Sequence, residues 1–309
     1  MSSLQTRIGT LRQLEILLSV HKTGSITAAS KALFITQPTV SMQLKKLADA
    51  IGTPLYDQHG RKLIFTAAGV EVVKSAREIL GCLDRLDMKL ADLQGLKTGR
   101  LSLAVVNTAK YFIPHLLAEF LKLYPNIDIN FKVGNRQQII ERMNTGEDDF
   151  YVFSHPPKQW DLDLHEFLPN PLMAIVQEGH PLSEKTHITL DEFVAQPFLI
   201  REQGSGTRFA LEQHFQKYNI NVNVRMTIES NEAIKHAVMS GLGVTVLSSH
   251  TLAFGGNAGV MALPVQGLPI QTTWYLANLK QKQLSVVAQT FLDYVESQGR
   301  SSILAKMKL

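Results

Sequence analysis

Arg201 and Arg208 bracket two glycines and two hydroxyl side chains in the run Arg201-Glu202-Gln203-Gly204-Ser205-Gly206-Thr207-Arg208. That set of groups suits one chemistry, the holding of an anion. The run follows an apolar segment and opens a helical one. Free N–H groups at the helix start, two hydroxyls and two planar guanidinium forks would then converge on one loop. The same residues also fit a well-capped helix whose loop binds nothing. Weaker candidates sit after other apolar segments: Asn107, Thr108 and Lys110, then Asn135 and Arg136, then Ser154 and His155, then Ser230 and Asn231. Ser230 and Asn231 also fit simple helix caps, and Lys110 and Arg136 fit solvated surface. Converging cations would suit a phosphorylated or polycarboxylate metabolite.

Catalytic constellations are missing from the sequence. The ten histidines are scattered, and none pairs with Cys, Asp or Glu at metal-ligand spacing. Gly204-Ser205-Gly206 lacks the glycine arrangement of a nucleophile elbow. No phosphate-cradling glycine loop or dinucleotide fingerprint follows the first apolar strand. Neither catalysis, nor a metal, nor any cofactor is expected.

A second chemistry lies near the start, in the stretch from Ser25 to Ser41. Ser25 is placed to cap a short helix with Ile26, Ala29 and Leu33 on one face. Thr36 offers a second cap, and Pro38 suits a first helical turn. Val40, Leu44 and Leu47 then share one face. Thr36, Gln37, Pro38, Thr39, Ser41, Met42 and Lys45 are left on the other side, where a DNA major groove would accept them. An ordinary helical hairpin shows the same local pattern. Charge separates the two readings: residues 1–66 carry eight Lys/Arg against three acids, whereas the rest of the chain is close to neutral. The basic excess therefore sits on the reading head, with Lys31 and Lys46 placed for phosphates. Two short strands at 55–58 and 63–65 flank the polar turn 59–62, making a wing that presents Arg61 and Lys62.

These sites require positioning elements. Val72, Ala76, Ile79, Leu83, Leu86, Leu90 and Leu93 step alternately by four and three residues. That is the 3.5-residue repeat of a coiled-coil seam on one helix over about residues 66–96. Such a seam, about 45 Å long, exceeds what one small domain covers. A dimerisation helix centred on Ile79, Leu83, Leu86, Leu90 and Leu93 follows, against the alternative of packing on its own chain. Beyond residue 100 the pattern alternates strands (101–106, 127–133, 150–153, 172–176, 198–200, 222–228, 244–247, 272–276) with helices (113–123, 137–144, 207–218, 231–240, 285–297). Alternation of this kind predicts parallel sheets with helices on both faces. The length suits two lobes, with a crossing at Pro169-Asn170-Pro171 and a return near Trp274. Ligands in such folds bind at strand ends between lobes.

Apolar content of 45% and 19% charged residues are ordinary for a soluble globular chain. No apolar run reaches the ~18 residues of a membrane span. Residues 1–7 lack an apolar signal-peptide core, so a cytoplasmic location is expected. The single cysteine, Cys82, suits a reducing compartment and is expected to be buried and structural.

One family resemblance covers the whole head in order and spacing. Ala28-Ala29, Leu33, Thr36-Gln37-Pro38-Thr39-Val40-Ser41, Gln43-Leu44-Lys45-Lys46-Leu47, Gly52-Thr53-Pro54-Leu55-Tyr56 and Leu63-Ile64-Phe65-Thr66-Ala67-Ala68-Gly69 resemble a LysR-type transcriptional regulator. Many members carry Arg after the serine matched by Ser41. Met42 stands there instead, so that base contact does not carry over. Met42-Gln43, Arg201–Arg208, residues 229–235 and Gly241-Leu242-Gly243-Val244 are similar to the carbon-fixation (RuBisCO operon) branch. The run Tyr151-Val152-Phe153-Ser154-His155 departs from that branch, where smaller residues are common.

The resemblance implies an α/β chain with an all-α head. Its winged helix-turn-helix would span 1–66 and its coiled-coil linker helix 67–96. A two-subdomain, periplasmic-binding-protein-like effector domain would span 97–309, with subdomain I at about 97–168 and 275–309 and subdomain II at about 169–274. The implied function is DNA-binding regulation tuned by a small anionic effector, such as a sugar phosphate or phosphoglycolate. The implied partners are double-stranded DNA, that effector, and a second or further copies of the chain as homodimer or homotetramer. No membrane partner is implied. A two-lobed solute-binding protein and a LysR-type regulator of an unrelated pathway are the competing readings. The basic head and missing export signal oppose the first of these.

Overall fold

The computed structural model describes residues 10–59 and 62–307, the side chains of Gln58, His59 and Lys62 excepted. Arg61 and the Lys62 side chain, both expected at the wing tip, lie outside the described residues. The chain forms two compact units, divided after Leu93.

In the first unit, α1 (Leu11–Thr23) ends at Gly24, whose left-handed φ of 65° closes the helix with a bond to Val20 O. Its N-cap, Thr10, makes no side-chain cap bond. Helix α2 (Ile26–Ala32) and helix α3 (Gln37–Ile51) follow, capped by Ser25 and Thr36 as expected. Leu14, Ile16, Leu17, Val20, Ala29, Val40, Leu44 and Leu47 form one core. Burying such aliphatic side chains stabilises by about 1.5–3 kcal/mol each. Strands β1 (Tyr56–His59) and β2 (Lys62–Phe65) pair antiparallel as the wing, Tyr56 facing Phe65.

Helix α4 (Ala67–Leu93) then splits its seam between two environments. Val73 and Ala76 are buried in the head core, with Val72 packed beside them. Ile79, Leu83, Leu86, Leu90 and Leu93 are 42–78% exposed. Cys82 is exposed as well, which corrects the expectation of a buried thiol. The reason is its place on α4: position 82 belongs to the part of the helix that the head core does not cover.

The second unit has two lobes. The first lobe is built on a five-stranded sheet of order β4-β3-β5-β12-β6: β3 (Gly99–Val106), β4 (Ile127–Gly134), β5 (Phe150–Phe153), β6 (Leu162–Pro169) and β12 (Thr273–Leu279). Helices α5 (Ile113–Leu123) and α6 (Arg136–Met143) connect the parallel trio β3, β4 and β5. The chain leaves this sheet at Pro169-Asn170-Pro171. The second lobe holds β7 (Leu172–Gln177), α7 (Leu190–Val194), β8 (Phe198–Arg201), α8 (Gly206–Lys217), β9 (Val224–Ile228), α9 (Asn231–Met239), β10 (Thr245–Ser248), α10 (Ser249–Gly255) and β11 (Val260–Leu263). After β12 the chain ends in α11 (Val286–Tyr294), a π-helical turn and α12 (Arg300–Met307). Phe291 of α11 packs edge-on against Phe120 of α5, so the end of the chain covers the first lobe.

The sheets are mixed rather than parallel, correcting the expectation from alternation alone. Strand β12 runs antiparallel to β5 and β6, and β7 antiparallel to β10 and β11. Periodicity marks a strand but carries no direction. Here β7 leads away from the crossing and β10 returns to it, where Ser248 Oγ donates to Asn170 Oδ1 at 2.6 Å. The two crossing segments are stitched together: Asn170 Nδ2 donates to Thr272 Oγ1 at 2.8 Å, and Thr272 Oγ1 to Asn170 O at 2.6 Å.

A candidate effector cleft and a candidate DNA-reading face

A cleft of about 300 Å3, its open mouth included, lies between the lobes of the second unit. Asn107 and Thr108 reach it from the end of β3, Asn135 and Arg136 from the start of α6, and Ser154 from the end of β5. Ser205, Gly206 and Thr207 arrive from the start of α8, and Asn170 and Trp274 from the two crossing segments. Strand ends and helix N-termini of both lobes therefore face one space, as expected for open α/β sheets.

The two arginines of the cleft differ in kind. Arg201 lines the cleft, is 2% exposed and has four of its five N–H groups hydrogen-bonded. Its Nε and Nη2 grip the Glu202 carboxylate at 2.8 and 3.1 Å, Nη2 also reaches Glu229 O at 3.0 Å, and Nη1 donates to Asn231 Oδ1. It is a buried brace, neutralised by its neighbour. Arg136 donates from Nε to His155 O at 2.9 Å and lies 4.6 Å from the Phe209 ring centre. Among the described residues no carboxylate pairs with it. Burial lowers its pKa, the signature of a charge removed from water without a counter-ion. Desolvation first, then the Arg136 charge, pushes the neighbouring His155 down to about 4, so that imidazole is neutral.

The hydroxyls point the same way by elimination. Ser205 Oγ accepts from Arg208 N at 3.5 Å, and Thr108 Oγ1 accepts from Asn231 Nδ2 at 3.1 Å. Each oxygen takes a hydrogen bond from its own scaffold, which leaves its proton to donate elsewhere. The N–H groups of Gly206 and Thr207 have no partner in the first turn of α8 among the described residues. The cleft is thus rich in donors and poor in acceptors. Behind the cleft, Phe112 packs tilted and His250 edge-on against Trp274, at 5.2 and 6.1 Å.

Four expected contacts stand elsewhere. Arg208 turns to Glu212 at 2.6 Å and to Arg201 O at 3.1 Å. Lys110 lies over the Tyr111 ring. Asn231 is buried behind the cleft between Thr108 and Arg201. Gly204, with φ of 83°, is a contact between lobes: its carbonyl accepts from Gln137 N at 3.1 Å, and an added Cβ would lie 2.9 Å from the Gln137 Cβ. Asn170 and Trp274 are missing from the expected contacts. Their positions on the crossing and return segments are the signal that could have found them.

On the head, Thr36 caps α3 by accepting from Thr39 N, and its hydroxyl meets the Thr39 hydroxyl at 2.8 Å. Gln37, Pro38, Met42, Lys45 and Lys46 are exposed, Thr39 and Ser41 partly so, and Lys31 is exposed on α2. Gln37 Oε1 accepts from Thr27 Oγ1 at 3.3 Å, which orients its amide and leaves the NH2 group to donate. No carboxylate pairs with Lys31, Lys45 or Lys46 among the described residues, so their charge is available to phosphates.

Comparison with known proteins places both units. Residues 11–70 match the bacterial regulatory helix-turn-helix protein, lysR family, and residues 94–300 match the LysR substrate binding domain. The chain is 48% identical over 299 residues to the HTH-type transcriptional activator CmpR of Synechocystis sp. (strain PCC 6803), covering 96% of this chain and 98% of that one. It is 37% identical over 290 residues, 94% of each chain, to the RuBisCO operon transcriptional regulator of Acidithiobacillus ferrooxidans. The regulatory domain of Synechocystis CcmR, solved in complex with 2-PG, aligns with a TM-score of 0.62 at 48% identity, covering 64% of this chain and 96% of that one. With a winged helix-turn-helix head followed by a two-lobed substrate binding domain, this chain belongs to the LysR family of DNA-binding transcriptional regulators.

Proposed function

We propose that this regulator binds a small phosphorylated carboxylate in the cleft, 2-phosphoglycolate being the first choice, and couples its presence to operator binding. The observation that carries the reading is Arg136, a half-buried cation without a carboxylate partner, facing a cavity whose other polar groups present donors. The 2-PG held by the similar CcmR domain supports the choice of ligand. Phosphate would sit against Arg136, Ser154, Ser205, Thr207 and the first turn of α8, with Asn107 and Thr108 nearer the other end. Arg201, Asn231, Arg208, Lys110 and Gly204 would act by holding the walls. Calorimetric titration of the full chain with 2-PG tests this directly. Heat saturating at one site per chain is expected, and no heat with 2-PG or other small phosphorylated acids would end the proposal.

The head, 1–66, reads DNA through Thr36, Gln37, Pro38, Thr39, Ser41, Met42 and Lys45 and holds phosphates through Lys31, Lys46 and the wing residues Arg61 and Lys62. Residues 67–96 dimerise, and 97–309 sense the effector. The chain works in the cytoplasm and catalyses nothing. Effector binding shifts the two lobes toward whichever arrangement it prefers, and can do so only by its differential affinity. In an oligomer that shift would alter head spacing and DNA bending.

Two predictions test the division of labour. Gln37→Ala should relax base preference by about 1–3 kcal/mol at one position of each half-site. Lys46→Ala should weaken all duplexes alike and flatten the salt slope by about one. Binding to a panel of single-base operator variants at two salt concentrations separates them, and equal losses with unchanged preference would contradict the assignment. The exposed seam gives the second. Leu83→Asp with Leu86→Asp puts charges where α4 would meet a second copy, so sedimentation should show a shift to lighter species with the head still folded. An unchanged mass would move the interface elsewhere.

A further inference from the structure

Phe34 occupies a backbone position that its side chain opposes. Helix α2 ends in a Schellman turn: Phe34 N donates to Lys31 O at 3.3 Å and Ile35 N to Ser30 O at 3.0 Å. The turn puts Phe34 at φ 55°, in the left-handed region. Glycine normally fills that place, because a side chain there meets its own backbone. A bulky aromatic in that region is an outlier. Its ring also gains nothing from the fold. Phe34 is 95% exposed, and it has no ring or cation partner among the described residues. Two independent penalties thus fall on one residue, strain and an apolar ring left in water.

We infer that Phe34 is a DNA contact that grips the sugar edge of the duplex at the lip of the major groove. This rests on the DNA-reading assignment of α3. In helix-turn-helix docking the first helix crosses the sugar-phosphate backbone and the N-terminus of the second enters the groove. The turn between them must pass beside a DNA strand. Phe34 lies in that turn, two residues before the Thr36 cap and three after the exposed, unpaired Lys31. A cation there would neutralise a phosphate, and the ring beside it meets the apolar face of the adjoining deoxyribose. The contact carries no base preference and releases no counter-ion. It adds affinity that salt does not screen. That signature separates it from both the base-reading residues and the lysines.

The test is the full-length chain with Phe34→Gly, measured beside Phe34→Trp. Glycine relieves the left-handed strain, so the unfolding temperature of the head should rise by several degrees. Affinity should nevertheless fall, by about tenfold for operator and unrelated duplex alike, with the salt slope unchanged. Phe34→Trp should keep wild-type affinity without the gain in stability. Hydroxyl-radical footprinting should lose protection at the sugars flanking each half-site with glycine and retain it with tryptophan. A rise in unfolding temperature with affinity and footprint both unchanged would overturn the proposal, as would loss of transcription in vitro with intact DNA binding, which would assign the ring to a protein partner. If the wild-type chain binds no duplex specifically, the DNA-reading assignment fails first, independently of Phe34.

Discussion

Arg136→Met should abolish effector binding while leaving the folded protein as stable as before, or more so. The guanidinium is the one cleft cation without a carboxylate partner among the described residues, and only the His155 carbonyl and the Phe209 ring offset its desolvation until an anion arrives. Two charge-assisted hydrogen bonds from its terminal nitrogens, at about 1.5–3 kcal/mol each, set the expected loss at two orders of magnitude or more. Methionine keeps an unbranched apolar stem beside Phe209, so packing survives. Arg201→Met should behave in the opposite way. It leaves Glu202 half-buried and unpaired and strips Asn231 and Glu229 O of a donor, at about 3 kcal/mol of stability. Thermal unfolding of both variants, together with calorimetric titration of 2-PG, tells a ligand contact from a brace. If Arg136→Met binds 2-PG normally, the anion is not held there.

Gly69→Ala should unfold the head and eliminate DNA binding. A Cβ at Gly69 would lie 1.8 Å from Leu55 O and 2.8 Å from Leu55 C, both backbone atoms that no rotamer change can move. The contact is where the first turn of α4 presses on the segment leading into the wing. That junction is fixed by Thr66, whose Oγ1 donates to Pro54 O at 2.8 Å and accepts from Gly69 N at 3.0 Å. Relief requires α4 to lift from the Leu55 core position, exposing Val73 and Ala76. The expected cost is above about 3 kcal/mol, since overpacking against backbone cannot relax as a side-chain clash does. The effector domain should keep its own 2-PG affinity. Circular dichroism with DNA binding and 2-PG titration of the same sample checks all three, and a folded head that binds operator normally would contradict the packing account.

What the sequence made legible was local. Ser25, Thr36 and Pro38 announce their helices because capping and φ restriction act within four residues, and both caps form. The Ala67–Leu93 helix was readable from its seven-residue repeat, though the repeat did not reveal that Val73 and Ala76 face the head while Ile79 onward stays uncovered. Strand direction was not legible, since β12 and β7 take theirs from the crossings at Asn170 and Thr272, 102 positions apart. The cleft shows the same limit more sharply. Arg201 looked like the anion ligand because it precedes a glycine loop, yet partners at positions 229 and 231 occupy it. Arg136, a weaker effector candidate that also fits solvated surface, is the cleft cation without a carboxylate partner among the described residues. Which arginine is free is a property of the tertiary pairing and cannot be read within one segment.

The measurement that bears most directly on the whole account is footprinting and affinity of the full-length chain on its own upstream intergenic DNA as 2-PG is titrated at fixed salt. Sequence-specific binding is expected, its affinity or footprint length changing with 2-PG at a midpoint that matches calorimetry, with no such change for Arg136→Met. Specific binding that ignores 2-PG and every related phosphorylated acid would contradict the effector assignment, and the absence of specific binding at moderate salt would contradict the reading head itself.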